Sequence, residues 1–274
     1  VCANMTTLAE VALRAAVVLH HRLLAAEHGE PRDERGNAQS LVVIGMGKLG
    51  GGELNVSSDV DLVFVYPEDG ETDGARALSN REFFERLGRR VISALHDITP
   101  DGYVFRVDMR LRPYGASGPL EVPYAALDLY LITQGRAWER YAWLNARPLT
   151  GTRHDELHAL VTPFVFRKYL DFDAYEGLRD VHRQIGEQGK RNDYGPNIKL
   201  GPGGIREIEF IVQALQLVRG GREQGLRVRG TLPALAAIAE RNLLPEARIA
   251  PLRDAYVFLR NVEHRLQYRD DRQT

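Results

Sequence analysis

The chain has 274 residues, 44% hydrophobic and 27% charged, enough to bury a substantial core in one large domain or two. Its formal net charge of −1 supplies no general pull toward nucleic acid or anionic lipid, so neither is expected as a partner and any anion must be recognised locally. A single cysteine, Cys2, excludes an internal disulfide framework and cysteine-bound zinc, and fits a reducing, cytoplasmic compartment.

From Thr6 to about Glu27, Leu8, Val11, Leu13, Val17, Leu19, Leu23 and Leu24 recur at helical spacing, with Thr6 or Thr7 placed to cap the start, and predict a leading helix. Arg14, His20, His21 and Arg22 interrupt its apolar stretch, and no basic start or cleavage signature accompanies it, so neither a signal peptide nor a membrane span is expected. Gly29 to Ser40 reads as a surface loop. Leu41 to Met46 and Asp61 to Tyr66 are β-branched-rich runs of strand length, and Pro67 to Asn80 reads as a second loop. Phe83, Phe84, Leu87, Val91, Ile92, Leu95 and Ile98 mark one helix face, and Tyr103 to Leu111 alternates as a third strand ended by Pro113. Beyond Pro123 the pattern is helical, at about 124–147, 155–170, 174–188, 204–219, 231–242 and 247–268. The expected fold class is α+β, a small mixed β-sheet core with a leading helix and a C-terminal helical region, divided as 1–40, 41–122 and 123–274. Opening on Val1 and closing in a charged run, the chain reads as a fragment of a longer protein.

The most informative stretch is Ser57-Ser58-Asp59-Val60-Asp61-Leu62-Val63-Phe64-Val65, entered from the run Gly45-Met46-Gly47-Lys48-Leu49-Gly50-Gly51-Gly52. Asp59 and Asp61 sit at the mouth of a strand and project from one face. At roughly 6 to 7 Å and an effective dielectric near 20 they repel by about 2 to 3 kcal/mol. A divalent cation between them turns repulsion into binding; hard oxygen ligands suit magnesium or manganese, and the glycine turn offers backbone N–H groups to a phosphate chain. The first reading is therefore metal-assisted nucleotidyl chemistry. Gly45-x-Gly47-x-x-Gly50 also matches a dinucleotide fingerprint, but Gly51 to Ser58 leave no room for the helix such a turn must feed, and Asp59 and Asp61 would have no role. A Walker loop fails because Leu49 follows Lys48.

Phosphoryl chemistry clamps its ions from several carboxylates, so a third acid is expected on a neighbouring strand, and Asp108 is the candidate. Alternation puts Arg106, Asp108, Arg110 and Arg112 on one face, where guanidinium groups suit bidentate phosphate contact. An exposed amphipathic strand would carry the same pattern. On the next helix Arg136, Arg140, Trp143 and Arg147 share one stripe with Glu139 at its edge, which is either a solvated face or an anion-binding one. Glu207 and Glu209 follow the glycine turn at Gly201 to Gly204; the helix dipole alone favours acids in a first turn, so their role stays open. No nucleophile elbow or HExxH pattern occurs.

Taken together, GMGKLGGGELNVSSDVDLVF, FRVDMRLRPYGASGPLEV, QGRAWERYAWLNARPL, GPGGIREIEFIVQALQLVRGGRE and VFLRNVEHRLQ, in this order, resemble the glutamine synthetase adenylyltransferase and adenylyl-removing enzymes. The resemblance implies a DNA polymerase β-like nucleotidyltransferase core over 41–122. Full-length members of that family join two catalytic halves, the N-terminal one removing AMP from glutamine synthetase and the C-terminal one adding it; the glycine loop, the WERYA block and GGIREIEF are similar to the removing half. The implied reaction is phosphorolysis, in which inorganic phosphate attacks the adenylyl group on a tyrosine of adenylylated glutamine synthetase and gives ADP.

On that mapping Asp59, Asp61 and Asp108 would hold Mg2+ or Mn2+. Lys48 and the amides of Gly47, Leu49, Gly50 and Gly51, with Ser58 beside them, would cradle phosphate or nucleotide. Arg110 and Arg112 are candidates to stabilise charge on the transferred group. Apart from the resemblance, removal by inorganic phosphate needs a further anion pocket, which the stripe of Arg136, Arg140 and Arg147 is inferred to furnish. Regulation by the PII signalling protein and by glutamine is implied as well. The competing readings are ATP-dependent adenylylation, a catalytically silent regulatory module and an NAD-binding oxidoreductase.

Overall fold

The computed structural model describes residues 1–168, 180, 183 and 197–270. Two compact units emerge: Val1–Leu54 with Ser58–Gly135 and Asn145–Thr162, and Asn55–Ser57 with Arg136–Leu144 and Pro163–Thr274.

In the first unit, helix α1 (Cys2–His28) and helix α3 (Asn80–His96) lie against each other and cover one face of a mixed sheet. Strand β2 (Val42–Gly45) pairs antiparallel with β3 (Val60–Tyr66), Val42 opposite Val65 and Gly45 opposite Leu62. On its other edge β3 pairs in parallel with β5 (Val107–Asp108) and with β6 (Glu121–Pro123), while β7 (Arg147–Pro148) adds antiparallel to β2. Helix α2 (Gly47–Gly50) is a single turn between β2 and β3. Period-two alternation sends Val60, Leu62, Phe64 and Tyr66 into the layer made by Leu13, Leu24, Phe83, Phe84, Leu87 and Val91. Val63 and Val65, on the opposite face, are also fully buried, which is why β3 reads as a continuous apolar run. Helix α3 opens on a capping box in which the Ser79 hydroxyl accepts from the Glu82 amide and the Glu82 carboxylate accepts from the Ser79 amide. Helix α1 is long and apolar enough to cross a membrane by length and composition alone; here Ala9, Leu13 and Leu24 on its inner side are fully buried in the core.

Several expectations need correction. The two presumed loops contain β1 (Pro31–Asp33) and β4 (Gly70–Thr72), paired antiparallel in a separate ribbon too short to leave a period-two signature. The third strand is two residues long rather than nine, because the chain turns after Asp108, with the Arg112 amide donating to the Met109 carbonyl. The helix expected over 124–147 is α4 (Tyr124–Thr133), a break at Gln134 and Gly135, α5 (Ala137–Trp143), and then β7. At the break the Gln134 and Gly135 amides both donate to the Tyr130 carbonyl, and Arg136 adopts the extended conformation of a helix cap. The boundary placed at 122 therefore falls inside the first unit, since β7, remote in sequence, completes the sheet.

The second unit is helical. Helix α6 (His154–Val165) enters it at Pro163, α7 (Ile205–Arg219) packs with α8 (Thr231–Glu240) and α9 (Glu246–Asp270), and Val212, Leu226, Ala234, Leu235 and Ile238 form its core. Of the helix expected over 174–188, all but residues 180 and 183 lie outside the described residues.

Candidate active site

The parallel register of β3 and β5 sets Asp61 directly opposite Asp108. Paired residues in a parallel ladder share a face, so the two carboxylates stand side by side. Two residues earlier on both segments the same register places Arg106 beside Asp59, and the Arg106 Nε donates to Asp59 Oδ1 at 2.7 Å. The Arg106 carbonyl also accepts from the Val60 amide at 2.8 Å, which extends the pairing, and its guanidinium meets the Tyr103 hydroxyl at 2.6 Å. Like charges directly across a ladder destabilise a sheet by up to about 1 kcal/mol, a pairing that folding alone avoids.

Arg110, turned back from the end of β5, grips Asp108 with its Nε at 2.8 Å and Nη2 at 2.5 Å, and the Arg110 amide donates to the same carboxylate at 2.8 Å. Burial pushes the Asp108 pKa up, but the hydrogen bonds and charge of Arg110, with Arg112 beyond, outweigh it and hold the carboxyl below the usual range. The Arg110 pKa is raised, first by Asp108 and then, after a small opposing burial effect, by the charges of Asp61 and Asp59, so one guanidinium senses all three acids. The Asp108 side chain is 15% exposed, against 32% for Asp59.

The glycine turn lies against this cluster. The Met46 amide donates to the Asp61 carbonyl, and a Cβ on Gly47, whose φ is +49°, would stand 3.1 Å from Asp61 Oδ2. Gly50 is required for a different reason: a Cβ there would fall 2.1 Å from the Asn145 carbonyl, so its small size admits the chain leading into β7. The amides expected to cradle phosphate are partly spent, since Gly50 donates to Met46 and Gly51 to Gly47 within the turn. Lys48, Leu49 and Ser58 stay in or beside this turn, at the aspartate end of the sheet.

The arginine stripe does not form. Arg147 lies in β7, donating to the Leu49 and Gly50 carbonyls at 3.1 Å and pairing with Glu10 at 2.6 Å, so it braces the glycine turn from behind. Arg140, buried in the second unit, donates to the Phe164 and Val165 carbonyls, and Arg136 caps α5. Arg112 staples its own loop through the Met109, Ala116 and Pro119 carbonyls. Glu207 accepts from the Gly203 amide at 2.8 Å, a local capping role, and Glu209 accepts from the Tyr256 hydroxyl at 3.5 Å. Arg106 is the residue that sequence reasoning left without a role. Alternation had placed it on the right face, but its pairing with Asp59 follows from register alone.

The donor set is three carboxylates, which suits a hard divalent ion in type. Among the described residues no three acidic, histidine or cysteine side chains are gathered at ion-holding distance, because Asp59 and Asp108 are turned onto their arginines. The backbone places Asp61 and Asp108 side by side, while Arg106 pairs with Asp59 and Arg110 with Asp108.

A small mixed sheet with helices on one face, and acids at a strand mouth beside a glycine turn, defines an α+β protein with a nucleotidyltransferase-like core. Residues 1–161 match the family described as glutamate-ammonia ligase adenylyltransferase, and the chain belongs to that family. Residues 177–274 match the family described as GlnD PII-uridylyltransferase. Among curated relatives, proteins of Aromatoleum aromaticum and Chromobacterium violaceum are 58% and 56% identical over 99% and 100% of this chain. Each is named a bifunctional glutamine synthetase adenylyltransferase/adenylyl-removing enzyme, and the chain spans 29% and 30% of their lengths.

Proposed function

We propose that this chain carries the adenylyl-removing half of such an enzyme and strips AMP from a tyrosine of glutamine synthetase by phosphorolysis. The observation that carries the reading is the Asp61–Asp108 pairing in adjacent parallel strands, with Asp59 at the same mouth, a juxtaposition that repels without a cation. In the proposed reaction an oxygen of inorganic phosphate forms the new bond to the adenylyl phosphorus, the bond to the tyrosine oxygen breaks, and the phenolate takes up a proton, giving ADP. Asp59, Asp61 and Asp108 would hold Mg2+ or Mn2+, which supplies Lewis-acid neutralisation of phosphoryl charge. Arg106 and Arg110, released from the acids when the ion binds, would turn to the phosphate oxygens, and the Gly47–Leu49 turn with Lys48 would bear on the nucleotide. Control by a PII-type protein and by glutamine belongs to the same reading; the likeness of the C-terminal part to a PII-uridylyltransferase supports the first.

The test is ADP release from adenylylated glutamine synthetase with phosphate and Mg2+. Asp59→Asn combined with Asp61→Asn is expected to lower the rate by roughly a thousandfold or more. An unchanged rate would remove the carboxylates from the chemistry, and transfer of label from ATP to unmodified glutamine synthetase would assign the adding reaction instead.

A further inference from the structure

Across the sheet from the aspartates lies a cavity of about 310 Å³, lined by Arg81, Glu85 and Arg89 of α3 and by Arg112, Leu120 and Glu121. Glu121 pairs with Phe64 in the parallel β3–β6 ladder and so shares the α3 face, whereas Asp61 and Asp108 point the other way. Its side chain is nine-tenths buried or more, the residue being 2% exposed, and its Oε2 has no hydrogen-bond partner. A buried carboxyl oxygen without a partner is costly enough to be uncommon. The other walls divide into committed and available groups. Arg112 is held by three loop carbonyls, and Arg89 by Glu85 Oε1 at 2.7 Å. Arg81 makes no side-chain hydrogen bond or ion pair among the described residues, yet its charge acts on Glu121.

We infer that this cavity is a binding site for a small oxyanion, a carboxylate or a phosphate-class ion, held by Arg81 and accepting a hydrogen bond from the Glu121 carboxyl. The charges support an anion: three guanidinium groups face a single ionised carboxylate, Glu85, once Glu121 carries its proton. Burial foremost, then the Glu85 charge, pushes the Glu121 pKa up to about 8 against the opposing pull of Arg81 and Arg89, so the acid is neutral at pH 7 and can donate. Tyr66 on β3 feels Glu121 too, but its own pKa is raised far above this range and it does not titrate there. The site is separate from the proposed catalytic mouth, and occupation would tie α3 to β6 on the edge of the strand that carries Asp61.

The test is titration calorimetry of the 274-residue chain with sulfate and with malonate, neither of which titrates between pH 7 and pH 9; the tighter of the two identifies the phosphate-class or the carboxylate source. Saturable binding is expected at pH 7, weakened about tenfold at pH 9 as Glu121 ionises. Arg81→Gln, at an exposed position, should weaken binding about tenfold at pH 7. Glu121→Gln keeps a hydrogen-bond donor and should retain binding while losing the pH dependence. Arg81 and Glu121 lie outside the proposed catalytic mouth, so the effects of these two variants separate this site from the fate of the proposed reaction. Failure of both anions to saturate, an unchanged affinity in Arg81→Gln, or a pH decline that persists in Glu121→Gln would each overturn the assignment.

Discussion

Glu121 makes a measurable claim about stability. Its folded pKa is about 8 against an ordinary 4.5, so between those values the folded chain holds a proton that the unfolded chain has released. Stability must therefore fall as pH rises through that window, by up to about 1.4 kcal/mol per pH unit. From pH 5.5 to 7.5 the loss attributable to this carboxyl is about 2 to 3 kcal/mol. Glu121→Gln has the same shape and no charge, so it should be spared that loss. Replacing one oxygen by an amide nitrogen shifts the absolute stability by an amount that does not depend on pH, which makes the difference in slope the quantity to read. Asp33, Glu82, Asp108 and Glu156 have depressed pKa values, held down mainly by hydrogen bonds and nearby arginines, so their contributions are present above about pH 4 and fade only below it, outside the window. Urea unfolding of both chains at half-unit pH steps is the assay. Parallel profiles would show that Glu121 is ionised in the folded state and that its pocket is wetter than the structure implies.

Gly47→Ala adds a methyl 3.1 Å from Asp61 Oδ2 at a φ of +49°, and should cost about 1 kcal/mol of stability while lowering turnover by a larger factor than stability explains; equal activity per folded molecule would free Asp61 from that contact. Arg106→Gln removes the cation that competes for Asp59, so Mn2+ binding followed by electron paramagnetic resonance should tighten severalfold, and weaker binding would show that Arg106 instead holds Asp59 in the ion-receiving pose. Arg147→Met leaves Glu10 only the longer Arg14 contact at 3.5 Å, takes the guanidinium donor from the Gly50 carbonyl and leaves the Leu49 carbonyl only the Gly52 amide, for an expected loss of about 1 to 3 kcal/mol by thermal unfolding. A negligible loss there would mean that water replaces the guanidinium.

How much was legible divides along the range of the interactions. The glycine turn, the Asp59–Asp61 pair, the apolar β3 run and the amphipathic α3 are local patterns, set by side-chain alternation, helical period and turn chemistry within a few residues. Asp108 was expected beside the pair because the proposed phosphoryl chemistry asks for a third acid and an alternating segment offered one, and the register sets it opposite Asp61. The arginines misled because a guanidinium serves a backbone carbonyl as readily as a phosphate, and nothing local distinguishes the two: Arg112, Arg140 and Arg147 all went to carbonyls. The expected 124–147 helix failed for a related reason, since apolar residues continue at helical spacing across Gly135 although the chain breaks there and returns to the sheet as β7.

From the amino-acid order alone came the leading helix, the β2 and β3 strands and α3, the acidic strand mouth and the kinship with a nucleotidyl-transferring family, all of which reside in neighbouring residues. Only the tertiary structure could set Asp61 against Asp108, give Arg106 to Asp59, explain Gly50 by the backbone at Asn145, and bury Glu121 beside Arg81. Strand register and the approach of distant segments depend on how whole faces pack, and a one-residue slip in that packing, invisible to any local pattern, would turn each of these side chains to the other side of the sheet.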